Sequence, residues 1–113
     1  MRTELEQLKQ AGCDIDGALE RFLQDEEFYL ECYEQVMADE NFEGLGDALK
    51  AHNVEQAFDC AHALKGVIAN MGLTPVFNQL AKIVEPLRAG KDEGLLEPYQ
   101  KLLDIREEFR KLI

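Results

Sequence analysis

His62, Lys65 and Gly66 stand at i, i+3 and i+4 in the string Ala61-His62-Ala63-Leu64-Lys65-Gly66, the spacings at which side chains on one helical face meet. In that arrangement an imidazole nitrogen is a nucleophile, an ammonium beside it compensates charge on nonbridging phosphate oxygens, and a residue without a side chain clears room for an incoming group. The set suits phosphoryl transfer to imidazole. A plainer reading takes His62 as a surface histidine, Lys65 as a solvated helix residue and Gly66 as a position of close helix packing.

The chemistry requires that His62 face outward, and the surrounding pattern provides for it. Val54, Ala57, Phe58, Ala61, Leu64, Ile68 and Met71 form one apolar stripe on a helix that Asn53 caps and Gly72 ends. At 100° per residue His62 lies about 120° from the centre of that stripe. Phe58 at i−4 and Ala69 at i+7 share its side of the helix. From Cys60 through Ala81 the only formally charged residue is Lys65. A weakly charged region around a reactive ring suits the docking of another protein, with Phe58, Ala69, Met71 and Phe77 as its contacts.

Apolar residues recur at i, i+3 and i+4 throughout and no segment alternates as a strand does, so the spacing predicts an all-α domain. A short helix is expected from Thr3 to Gln10 and a second from Ala18 to Leu23, capped by Asp14 or Asp16. From Glu26 the stripe Phe28, Cys32, Val36, with Tyr29, Tyr33 and Met37 beside it, leads to Phe42, Leu45, Ala48 and Leu49. This arm is one long helix or two, broken near Gly44 or Gly46. Thr74 as N-cap with Pro75 at the first helical position starts a helix with core residues Val76, Phe77, Leu80, Ile83, Val84 and Leu87. Pro86 limits or kinks its end. The stripe Leu95, Tyr99, Leu102, Arg106, Phe109, Ile113 makes the last helix. Short connections then favour an antiparallel four-helix bundle over residues 25–113, with one or two short accessory helices in residues 1–24, all in a single domain of residues 1–113.

With 113 residues, the chain has room for one core. Its formal charge of −11 repels phosphate backbones and anionic headgroups, which argues against nucleic acid and membrane partners. Residues 1–50 carry 14 acids and 4 bases, residues 51–113 only 9 acids and 8 bases, so an anion site belongs in the second half. The N-terminus lacks a secretory apolar stretch, and a cytoplasmic location is expected. Cys13, Cys32 and Cys60 read as buried reduced thiols without a metal site. His52 reads as a cap or solvent residue. Neither acidic run has the spacing of a calcium loop, and no glycine-rich phosphate loop occurs, so no ATP site of its own is expected.

The string from Ala61 to Gly66, followed by Asn70-Met71-Gly72-Leu73, resembles the histidine phosphotransfer (HPt) domain family of phosphorelays. The resemblance extends to Asp25-Glu26-Glu27-Phe28-Tyr29, which looks like the entry to the family's long first bundle helix, and to Ala48-Leu49-Lys50-Ala51-His52-Asn53-Val54, which looks like the turn into its histidine helix. It implies that His62 is the phosphorylated residue, Lys65 the cation that meets the phosphate and Gly66 the small residue that gives access. It further implies response-regulator receiver domains and a hybrid histidine kinase as partners. No cofactor of its own is implied, magnesium being supplied by the partner receiver. One departure stands out. Several family members place a glutamine 22 residues after the histidine, where this chain has Val84. A phosphorylation-independent helical adaptor that binds a receiver or another signalling protein is the competing expectation.

Overall fold

The computed structural model describes residues 1–113 and contains seven helices: α1 (Thr3–Gln10), α2 (Ile15–Arg21), α3 (Glu26–Met37), α4 (Asn41–Lys50), α5 (Val54–Asn70), α6 (Thr74–Arg88) and α7 (Leu96–Leu112). No strand is present. Helices α4 to α7 close a ring in which α4 packs on α5, α5 on α6, α6 on α7 and α7 back on α4. The short connections between successive neighbours are compatible with the expected antiparallel bundle, with α3 packed outside the ring on α7. One core of 29 buried apolar residues runs through it. Helices α1 and α2 are sealed into that same core by Leu5, Leu8, Ile15 and Ala18.

The arm before α5 is two helices, and the break lies at Ala38–Glu40 instead of near Gly44 or Gly46. Asp39 causes it: its Oδ1 accepts from the Asn41 amide at 2.8 Å, which satisfies a donor at the start of α4. The two glycines sit inside α4 for room. A Cβ at Gly46 would overlap the Tyr99 ring, whose hydroxyl donates to the Phe42 carbonyl at 2.7 Å. A Cβ at Gly44 would come within 3.2 Å of Cys60 Sγ.

In α3 the buried residues are Tyr29, Tyr33 and Met37, and the stripe Phe28, Cys32, Val36 faces outward or lies at the edge. The tyrosines win the core because each hydroxyl finds a carbonyl there: Tyr29 donates to Met71 at 2.7 Å and Tyr33 to Phe109 at 2.8 Å. Three further boundaries move. Helix α2 starts at Ile15, where Asp14 Oδ1 accepts from the Gly17 amide, and ends at Arg21 because Leu23 and Gln24 both take positive φ. Leu73, not Thr74, is the N-cap of α6, since the Thr74 hydroxyl turns back to the Gly72 carbonyl. The apolar stripe of α7 finishes at Phe109, with Ile113 exposed. All three cysteines are free; Cys13 and Cys60 are buried, while Cys32 is only partly so.

Candidate functional site

Helix α5 begins where Asn53 Oδ1 accepts from the Gln56 amide at 3.1 Å. Its inner face buries Ala57, Cys60, Ala61, Leu64 and Ile68. His62, at the midpoint, is consequently exposed. Its ring lies flat against Phe58, with centroids 5.2 Å apart and planes inclined by 17°.

Helix α6 brings a charged cluster to the same place. Lys65 Nζ is 3.5 Å from Glu85 Oε1 and 5.5 Å from the centre of the Phe77 ring. Glu85 Oε2 is in turn 3.6 Å from Arg88 Nε, and the Arg88 guanidinium stands 5.3 Å from the centre of the Phe58 ring. Both cations near the histidine are thus tied to one carboxylate. Around Gly66 the surface is open: a Cβ there would meet nothing within 4 Å. Close helix packing therefore does not explain this glycine.

The Hpt domain family model matches residues 29–113, from α3 to the end of the chain, with His62, Lys65 and Gly66 inside the match. The chain belongs to the Hpt domain family. A phosphotransfer role in two-component signalling follows from that membership, as does interaction with receiver domains. No curated protein and no solved structure matches the chain. No helix is long and apolar enough to cross a membrane.

In this Hpt domain Phe58 and Phe77 are half-buried and Ala69 is exposed. Met71 is 2% exposed: it closes the apolar stripe of α5, its carbonyl accepts from Tyr29, and it lines a groove with residues of α3. Val84, at the position of the family's glutamine, is fully buried and cannot reach the imidazole. His52 is remote from the site in sequence and partner: it sits at the α4–α5 turn with Nδ1 3.1 Å from Asp92 Oδ2.

Two features escaped the sequence. Glu85 and Arg88 are one turn apart on α6, but only the packing of α6 on α5 shows which side chains reach Lys65 and Phe58. The second is an apolar groove lined by Phe22, Phe28, Cys32, Val36 and Val67. Phe28 is 50% exposed there and Val67 38%, and the second apolar stripe of α3, beside the tyrosines, is the signal that would have found it. Beneath the site, Arg21 caps α5, its Nη2 donating to the Ala69 carbonyl at 3.1 Å and its Nε to that of Asn70 at 3.0 Å. The groups whose acidity burial changes lie in the core: Cys13 is pushed up to about 11, and Tyr29, Tyr33 and Tyr99 are all raised.

Proposed function

We propose that His62 accepts a phosphoryl group from the phosphoaspartate of one receiver domain and passes it to another. The observation that carries this reading is an exposed mid-helix imidazole with a lysine at i+3 and unfilled space over the glycine at i+4. In the forward step a neutral ring nitrogen attacks phosphorus, the N–P bond forms, the acyl O–P bond breaks and the aspartate carboxylate leaves. Lys65 compensates charge on the nonbridging oxygens, and magnesium belongs to the receiver's acidic pocket. In the return step a second receiver's carboxylate takes the phosphoryl group and the imidazole leaves with its electron pair. The receiver docks over α5 and α6 around Phe58, Ala69 and Phe77.

Incubation with phosphorylated receiver domains tests the assignment, with His62→Gln and His52→Gln as paired variants. Acid-labile, base-stable label should appear on the unmodified protein and on His52→Gln and be lost in His62→Gln. Label persisting in His62→Gln would sink the assignment. Receiver binding with no label in any variant would instead make the chain a phosphorylation-independent adaptor.

A further inference from the structure

The reacting imidazole has no hydrogen-bonding side chain from the Val84 position to hold it, yet its plane is set. The Phe58 ring lies 5.2 Å away and within 17° of parallel, one helical turn before His62 on the same face. Phe58 is itself held from α6 by the Arg88 guanidinium, 5.3 Å from the ring centre. Arg88 is fixed through Glu85, which also meets Lys65. The stack therefore belongs to a chain of contacts running from α6 to the imidazole.

We propose that Phe58 is the positioning residue for the phosphoryl-accepting ring, fixing the plane of His62 by stacking. This rests on the reading of His62 as the phosphoryl acceptor. The lone pair of an imidazole nitrogen lies in the ring plane, so attack in line with the departing oxygen needs that plane to contain the phosphorus and the leaving group. Rotation about the Cβ–Cγ bond of an exposed histidine would scatter that direction. A parallel aromatic neighbour removes most of the rotation without occupying either nitrogen. A phosphoryl group on nitrogen also lies in the ring plane, at its edge, so the same stack holds the ring for acceptance and for donation. Stacking thus does what a hydrogen bond to one nitrogen would do and leaves both nitrogens free of side-chain partners.

The test compares Phe58→Leu, which keeps apolar volume, with Phe58→Tyr, which keeps the aromatic face. Three quantities are read: the saturating rate of transfer from a phosphorylated receiver, the receiver concentration at half-saturation, and the ring-proton chemical shifts of His62 in the unphosphorylated protein. Phosphoramidate supplies a fourth, since it is a donor small enough to need no docking surface and loses ammonia on transfer. For Phe58→Leu the saturating rate and the phosphoramidate rate should both fall about two- to tenfold, as the worth of an aromatic pair implies. Because Phe58 also borders the docking surface, half-saturation shifts with the lost contact, and the phosphoramidate rate, which needs no docking, isolates the positioning effect; the His62 ring protons should lose their ring-current displacement. Phe58→Tyr should restore all of these.

A Phe58→Leu protein that transfers at the unmodified rate would overturn the proposal. So would a change confined to half-saturation with the phosphoramidate rate intact, which would make Phe58 a docking contact alone, or slow transfer that Phe58→Tyr leaves unrepaired. Failure of the phosphoacceptor reading looks different: the unmodified protein then takes no label on His62, although the ring-current displacement still reports the stack.

Discussion

Gly66 is a mid-helix glycine that the packing of the fold does not require. A glycine in mid-helix costs about 0.5–1 kcal/mol relative to alanine, and no neighbour here requires that cost, because a Cβ would project into open space. Gly66→Ala should therefore raise thermal stability by about 0.5–1 kcal/mol, with slower phosphoryl transfer from a receiver, and Gly66→Leu should slow transfer further without unfolding the protein. Thermal melts paired with transfer assays check both signs; a Gly66→Leu protein that transfers at the normal rate would return the glycine to a merely permissive role. The exposure of His62 was legible in the sequence because helical period alone places a residue relative to its own apolar stripe. Val84 was legible as a departure but not in its consequence, since only the packing shows it wholly inside the core. The depth at which Met71 sits was not legible, because the last residue of a stripe looks the same whether or not another helix covers it.

Among the helices, the turn from α4 into α5 shows local geometry and tertiary need in conflict. His52 has φ of +56° and closes a two-bond C-terminal cap, its amide donating to the Leu49 carbonyl at 3.2 Å and that of Asn53 to the Ala48 carbonyl at 2.9 Å. A left-handed residue with a side chain is strained by about 1–2 kcal/mol, only partly offset by the greater chain entropy that glycine would lose on folding. His52→Gly should therefore be neutral to stabilising, by up to about 1 kcal/mol, and should leave transfer untouched. Denaturant titration checks the first part; a clear loss of stability would show that the exposed contact with Asp92 matters more than surface ion pairs generally do. The helices themselves were readable from spacing, whereas the break in the arm was not. Gly44 and Gly46 carry the usual signature of a stop, yet each makes room for a side chain arriving from another helix. Asp39, which ends the arm's first half, is one acid among many. The two apolar stripes of α3 were equally good by period. Tyr29 and Tyr33 were chosen by carbonyls on α7 and at the end of α5, distant along the chain.

The whole molecule keeps three phenols and a thiol neutral in its core. Burial raises Tyr29, Tyr33 and Tyr99 above their ordinary value of 10.0, and Cys13 from 9.0 to about 11. An acid whose folded value is raised holds its proton longer in the native state than in the unfolded chain. The unfolded state therefore binds fewer protons across that interval, and stability falls as pH rises through it. Full stability from these groups is present below about pH 9, the ordinary thiol value. It should decline from there and more steeply above about pH 10, where unfolded tyrosines ionise. Urea midpoints across that range check the slope, and Cys13→Ala should remove the part that begins earliest. A flat profile would mean that these groups ionise in the folded protein as readily as in the unfolded chain.

The vacancy over Gly66 also reaches the backbone. In an α-helix the amide of residue i bonds the carbonyl of residue i−4, so the Gly66 N–H is paired with the His62 carbonyl, and no side chain at position 66 shields that pair from water. The Gly66 peptide group, one helical turn from His62, is therefore one that no side chain at that position shields from solvent deuterium and that a receiver seated there would cover. The exchange rate of a single amide becomes a gauge of occupancy at the site, readable before any phosphoryl group has moved.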